Sequence, residues 1–251
     1  MSKHILIRQI INRYEVVMEE VLKVKGKLKR FYTMICAVVM ALTLSSCFDF
    51  VEQIDLKTNG SGHIAATLNL SKSKTKVASL MKMKSIKGIQ IPSQADMEKE
   101  IRSAVQLLKQ TKGISNVQYS TDFTNYIVNI SCDFSQIESL NAFSDILANQ
   151  FKTKISNSNR YYYNAQSNVF ERKFVASADW KTKFNQLGSD NTTQFADAFY
   201  TQIIRFEKPI ASQANGLAKV AGNKKGVLLK LPFMDLVYGK SSLANKITLT
   251  K

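Results

Sequence analysis

Few side chains in this 251-residue sequence are suited to metal binding or acid–base catalysis. It contains two histidines, His4 and His63, and three cysteines. A zinc site needs three or four Cys, His or carboxylate ligands, and no cluster with that spacing occurs. A Ser-His-Asp triad would depend on His63, and the sequence has no Gly-x-Ser-x-Gly elbow. We therefore expect no metal and no cofactor, and we interpret His63 as an exposed residue at a strand end.

Three consecutive tyrosines offer another kind of chemistry, which is ligand stacking. Tyr161, Tyr162 and Tyr163 follow Arg160 in a predicted strand. Because consecutive strand residues point to opposite faces, we expect Tyr161 and Tyr163 to share an exposed face while Tyr162 packs inside. That pair would form a platform for a sugar, an acyl group or a peptide. The alternative is that the tyrosines reflect β-propensity alone.

A third chemical feature is a cysteine that follows an apolar leader. The run Phe31–Leu44 has 14 residues without a charge, and a dense basic segment, Lys23–Arg30, precedes it. A secretory signal has this order of a positive region, an apolar run of about 7–15 residues and small residues at the cleavage site. A membrane-spanning helix needs about 20 apolar residues, so this run is too short to cross a bilayer.

The tetrapeptide Leu44-Ser45-Ser46-Cys47 resembles the lipobox of bacterial lipoproteins. The resemblance implies that residues 1–46 are a signal peptide, that the chain is cut before Cys47, and that diacylglycerol is attached to the Cys47 thiol. Translation is expected to start at Met18, because some 30 residues before the apolar run are long for a positive region. The alternatives are a short uncleaved anchor and a secretory signal without lipid.

The same resemblance implies a location in the cell envelope. Asp49 and Glu52 are isolated acids, whereas an acidic run just after the lipidated cysteine tends to mark surface export in the Bacteroidota. For a source of that kind, we expect a lipoprotein of the outer membrane that faces the periplasm.

Charge and cysteine content agree with export. The leader carries eight of the 35 basic and three of the 19 acidic residues, so the chain from residue 47 has 27 basic and 16 acidic residues. Export argues against nucleic acid as a partner, which leaves a lysine-rich solvated surface, or attraction to anionic lipid or a cell-wall polymer. Only Cys132 remains besides Cys47, so no disulfide is expected, and Cys132 is predicted to pack in the core.

The order of strand and helix patterns predicts an α+β fold, with an antiparallel sheet of hairpins and helices packed on one face. In the first strand, Phe50, Ile54 and Leu56 share an apolar face on which Glu52 is the exception. Residues 47–251 form the predicted domain, and residues 157–159 are the best candidate for a subdivision. The predicted strands are 49–57, 63–70, 114–120, 125–132, 160–163, 169–175, 201–206, 216–221, 227–231 and 246–250, and the main predicted helices are 71–84, 93–112, 135–151 and 180–187.

The stretch Tyr200–Leu231 resembles the β-rich domain of a mycobacterial lipoprotein family implicated in host phagosome handling. Pro209, Asn215-Gly216 and Lys224-Lys225-Gly226 stand where that family has a proline after a strand, an Asn-Gly turn and a charged hairpin. This resemblance covers about 30 residues and transfers no functional residue.

The leading hypothesis is a non-enzymatic lipoprotein whose domain binds or scaffolds a component of the cell envelope. One alternative is an envelope hydrolase that uses carboxylates, although the sequence singles out no pair. Another is a carrier that holds a hydrophobic ligand between sheet and helices. A deep cleft with two facing acids would favour the hydrolase, and an apolar or basic groove would favour binding. The sequence names no protein partner.

Overall fold

The computed structural model describes residues 48–86, 89–150, 159–187, 195 and 197–251. The predicted signal peptide, the predicted lipidation site Cys47 and residues 157 and 158 lie outside the described residues. One compact unit spans Ser46–Lys251 and contains its own hydrophobic core, so a chain that begins at residue 46 is expected to fold by itself. In the part of the chain that is described, every helix is too short or too polar to cross a bilayer.

Strands and helices alternate along the described residues. The strands are β1 (Asp49–Leu56), β2 (Gly62–Asn69), β3 (Ser85–Ile86), β4 (Ile89–Gln90), β5 (Ile114–Asp122), β6 (Ile127–Phe134), β7 (Arg160–Asn164), β8 (Val169–Lys173), β9 (Phe199–Phe206), β10 (Ile210–Gln213), β11 (Lys219–Val220), β12 (Gly226–Pro232) and β13 (Asn245–Leu249). The α-helices are α1 (Lys74–Met81), α2 (Gln94–Gln110), α3 (Ser139–Gln150), α4 (Ala178–Leu187) and α5 (Phe233–Val237), and a short 3-10 helix, Ser71–Ser73, precedes α1.

The strands form two main sheets. The larger has the order β11-β12-β9-β1-β2-β6-β5, and the smaller has the order β10-β13-β8-β7. Strands β3 and β4 form a separate two-stranded sheet. Every pairing is antiparallel except that of β1 with β9, which is parallel. The α+β class and the predominance of antiparallel hairpins are confirmed.

The two main sheets share one hydrophobic core. Ile54 of β1 and Ile204 of β9 pack in the same buried cluster as Phe170 of β8 and Ile247 of β13. Leu108 of α2 joins this cluster from the helical side. Burial of such side chains removes apolar surface from water, at roughly 25 cal/mol per Å². Residues before and after positions 157–159 therefore contribute to the same core.

Several local features follow from residue type and spacing. The Asn59-Gly60 turn joins β1 and β2, and Gly60 has a φ of +87°, which suits glycine because it has no Cβ. Ser93 and Asp96 form a capping box: each side chain accepts a hydrogen bond of 3.1 Å from the backbone N–H of the other. Cys132 is buried in the core, and burial raises the pKa of its thiol to about 11.

The start of α3 differs from the expectation. Asp133 and Ser135 are residue types that can cap a helix over the predicted range 135–151, but α3 begins at Ser139. Asp133 instead lies within β6, and its carboxylate accepts a hydrogen bond of 2.7 Å from the Asn116 amide of the neighbouring strand β5. Asp133 therefore pairs with a side chain across the sheet and does not cap α3.

Candidate functional site

The side chains on the inner face of β1 change along the strand from apolar core residues to a buried acid and then to a residue that lines a cavity. Ile54 and Leu56 lie in the hydrophobic core. Two residues before Ile54, Glu52 is only 7% exposed, and two residues before that, Phe50 lines a cavity. Because alternate residues of a strand share a face, these side chains form a row that runs from core to cavity. The exception noted in the sequence pattern, Glu52, is the point where this row becomes polar.

Two other strands repeat this order. On β8, Phe170 lies in the core and Arg172 is only 2% exposed, while Phe174, one residue beyond the strand, lines the cavity. A buried polar layer therefore separates the shared core from the cavity. The corresponding residues of β9 are Ile204 in the core, Gln202 in the polar layer and Tyr200 at the cavity.

Glu52 is the centre of this polar layer. Its Oε1 atom accepts hydrogen bonds from Arg172 Nη1 at 2.9 Å, from the Tyr161 hydroxyl at 3.0 Å and from Gln202 Nε2 at 2.8 Å. Its Oε2 atom accepts one from the Tyr200 hydroxyl. Four donors thus satisfy one buried carboxylate, as a buried charge requires.

Arg172 balances the charge of Glu52. Its Nε and Nη2 atoms each donate to Asn159 Oδ1 at 3.3 Å, and its guanidinium lies 4.9 Å from the Tyr161 ring centroid and 5.8 Å from that of Tyr200. Burial is the largest single effect on the pKa of this guanidinium and lowers it, but Glu52, Tyr161 and Tyr200 together raise the pKa by more than burial lowers it. Burial also raises the pKa of the Tyr200 hydroxyl, and the nearby Glu52 charge adds to that increase. Burial raises the pKa of the Tyr161 hydroxyl as well, so both tyrosines remain hydrogen-bond donors.

The cavity beside this layer has a volume of about 310 Å³, at the lower end of the range typical of small-molecule sites. The ring of Phe50 stacks on that of Tyr200, with 4.9 Å between the centroids. Most of the lining is hydrocarbon, and the polar residues in it are Asn159, Arg172, Ser177 and Tyr200. The apolar lining includes Phe48, Phe50, Leu68, Phe174, Phe233 and Leu243.

An aromatic cluster borders the cavity near the first described residue. The ring centroid of Phe48 lies 4.9 Å from that of Phe233 on α5 and 5.6 Å from that of Phe195. Phe184 of α4 lies 5.2 Å from Phe195 and 5.7 Å from Phe233. These edge-to-face contacts hold α4 and α5 against the start of β1 and shape one wall of the cavity.

The tyrosine platform is placed differently from the expectation. Tyr161 is 5% exposed and Tyr163 is half-buried, whereas Tyr162 is 40% exposed, so the predicted orientation is wrong. The alternation itself was correct, but the inner face is the one that Tyr161 shares with its strand partner Arg172. The hydrogen bond to Glu52 requires Tyr161 inside. The described cavity lining includes neither Tyr161 nor Tyr163.

His63 lies at the opposite end of β1 and β2 from the cavity. Its Nδ1 atom is 2.7 Å from Asp133 Oδ1, and both side chains are partly exposed. Hydrogen bonds from Asn116 and His63 lower the pKa of the Asp133 carboxyl. Within the described residues, no group of three or more His, Cys, Asp or Glu side chains is arranged to hold a metal ion.

Sequence reasoning missed Arg172, Gln202 and Tyr200 as site residues. A usable signal existed, because Arg172 and Gln202, like Glu52, interrupt an otherwise apolar strand face. Their pairing was hidden by distance along the chain: Arg172 is 120 residues from Glu52, and Gln202 is 150 residues from it.

Comparisons with known proteins add little to this picture. No family model matches the sequence, and no curated protein matches it. Among solved structures, the chain is similar to the NMR structure of the folded domain of the LppM protein of Mycobacterium tuberculosis. The identity is 11% and the TM-score 0.39, over 80% of this chain and 88% of that chain. The resemblance of residues 200–231 also pointed to a mycobacterial lipoprotein, but similarity at this level carries no inference about function.

Proposed function

We propose that this protein is a lipid-anchored, non-enzymatic protein of the cell envelope whose domain binds a single acyl chain or a similarly slender amphiphile. The observation that carries this proposal is the apolar cavity of about 310 Å³ at one end of the shared core. Phe48, which contributes to its lining, directly follows the predicted lipidation site Cys47. The ligand would therefore bind close to the membrane anchor.

The lining favours hydrocarbon over a charged ligand. Its surface is mostly aromatic and aliphatic, and the charge of Arg172 is already balanced by Glu52. Burial of hydrocarbon in such a site is favourable because it removes apolar surface from water. Asn159 and Ser177 offer hydrogen bonds to a hydroxyl, ester or carboxyl group at one end of the chain.

The composition of the site supports binding rather than hydrolysis. The described residues that line the cavity include neither a carboxylate nor a histidine that could act as general base for Ser177. Glu52 lies behind Arg172 and already accepts four hydrogen bonds. A catalytic acid or base needs a lone pair or proton that can reach the substrate.

The same proposal includes the cellular location of the protein. The lipobox-like tetrapeptide ending at Cys47 supports lipid attachment, and the isolated acids Asp49 and Glu52 support retention on the periplasmic side of the outer membrane. Leu68 and Phe50 place the cavity at the end of the sheet from which the anchor would extend.

Fluorescence titration with cis-parinaric acid tests the binding proposal. We expect residues 46–251, produced with Cys47→Ser, to bind this probe saturably and with one site per chain. Ala176 lines the cavity, so Ala176→Trp is expected to fill it and to weaken binding roughly tenfold or more, which corresponds to about 1.4 kcal/mol.

The matched control is Ala221→Trp, because Ala221 is exposed and does not line the cavity. It should bind the probe within about twofold of the unmodified domain, which is close to the error of such a titration. Thermal unfolding of all three proteins shows whether each is folded. Non-saturable binding, or equal affinities of the two tryptophan variants, would contradict the proposal.

A further inference from the structure

A lysine-rich segment lies at the same end of the domain as the cavity. Phe50 and Leu68, which both line the cavity, are register partners in β1 and β2. The chain passes from Leu68 into the 3-10 helix and α1, and Lys72 Nζ lies 3.3 Å from Asp49 Oδ2. Asp49 directly follows Phe48 of the cavity wall, so this segment begins beside the cavity.

The basic segment, defined here as residues 71–84, has an unusually one-sided charge. No Asp or Glu occurs between Asp55 and Asp96. Lys72 pairs with Asp49, and Lys74 lies near Asp122, whose carboxyl pKa it helps to lower. The other lysine side chains of the segment are exposed, and no hydrogen bond or ion pair joins their ammonium groups to another described residue; they belong to Lys76, Lys82 and Lys84.

The apolar side chains near these lysines are not fully buried. No residue of α1 is buried, and Leu80 and Met81 are only half-buried. Met83 is 49% exposed, and Val175 in the cavity lining is 65% exposed. Exposed aliphatic side chains beside lysines with no acidic partner are typical of segments that lie in the interface of an anionic bilayer.

We infer that the basic segment docks on an anionic membrane surface and thereby holds the cavity end of the domain against the bilayer. Lysines near such a surface are attracted to lipid phosphates within about one Debye length. The half-exposed Leu80, Met81 and Met83 would reach the boundary between headgroups and acyl chains. This inference rests on the proposed function and extends it, because it identifies the membrane as the source of the ligand.

Vesicle co-sedimentation tests the inference. The probe is the 46–251 domain with Cys47→Ser, mixed with vesicles of phosphatidylcholine alone or with 30% phosphatidylglycerol. We expect binding to the anionic vesicles only, with an affinity that falls as salt is raised. Combined Lys76→Gln, Lys82→Gln and Lys84→Gln substitutions should weaken that binding roughly tenfold or more, because each lysine near the surface contributes attraction.

The matched control removes three lysines from the other end of the sheet, through Lys219→Gln, Lys224→Gln and Lys225→Gln. This variant has the same net charge, so it should retain binding within about threefold, the small change expected for screened charges far from the surface. Equal loss in both variants, no preference for anionic vesicles, or binding only to an isolated anionic cell-wall polymer would overturn the inference. Parinaric acid binding should be unchanged in both lysine variants, which separates failure here from failure of the cavity proposal.

Discussion

Replacing Arg172 with methionine is expected to lower the free energy of unfolding of the domain by about 3–5 kcal/mol. The substitution would leave the Glu52 carboxylate buried without its cation, because Arg172 is the cationic partner at 2.9 Å. Only neutral donors would remain around it: Tyr161, Tyr200 and Gln202. Urea unfolding followed by circular dichroism measures the change.

A double variant separates loss of the charge from loss of packing. Glu52→Gln combined with Arg172→Met removes both charges and keeps a side-chain oxygen that accepts from Tyr161 and Gln202. It is expected to be more stable than Arg172→Met alone, by about 2 kcal/mol, because no unpaired charge stays buried. The control Arg205→Met breaks a half-exposed pair with Asp55 and should cost less than about 1 kcal/mol. If Arg172→Met costs no more than this control, the buried ion pair does not stabilise the fold.

Replacing Phe170 with alanine is the second substitution with a large expected effect. Phe170 is completely buried, and its ring centroid lies 5.8 Å from that of Phe206 on the facing sheet. Loss of a buried phenylalanine leaves a cavity as well as removing buried surface, and typically costs about 3–5 kcal/mol. Because both sheets share this core, we expect a single unfolding transition that moves to lower urea concentration.

The control for Phe170→Ala comes from the same hairpin. Tyr162→Ala removes an aromatic side chain that is 40% exposed, and it should change the stability by no more than about 0.5 kcal/mol. Two separate transitions in the Phe170→Ala variant would mean that the sheets unfold independently. Similar effects of the two substitutions would contradict the assignment of the inner face of β7 and β8.

Local structure was the part of the fold that the sequence specified best. The Asn59-Gly60 turn and the Ser93–Asp96 cap involve groups a few residues apart, so residue type and spacing are sufficient to predict them. The burial of Cys132 follows in the same way from the alternation along β6. In each case the partner groups lie within one element or one turn.

Features that depend on distant partners were not predictable in the same way. The tyrosines of β7 alternate as expected, but the pattern alone does not say which face is inside when both faces carry tyrosine. That choice is set by Arg172 and Glu52, which reach Tyr161 from other strands. The parallel pairing of β1 with β9 joins residues 150 positions apart, and it places Glu52 beside Gln202 in the polar layer and Phe50 beside Tyr200 at the cavity.

Binding of one hydrocarbon chain in the cavity between Phe50, Phe174 and Leu243 is the core of the proposed function. Photocrosslinking with a diazirine-bearing fatty acid tests it most directly, with peptide mass spectrometry of the irradiated domain to identify the labelled residues. We predict one label per chain, located on the residues that line the cavity, and loss of that label in Ala176→Trp. Labels spread over exposed apolar residues such as Leu217 and Leu228, with the cavity residues unlabelled, would show that the hydrocarbon chain does not bind in the cavity.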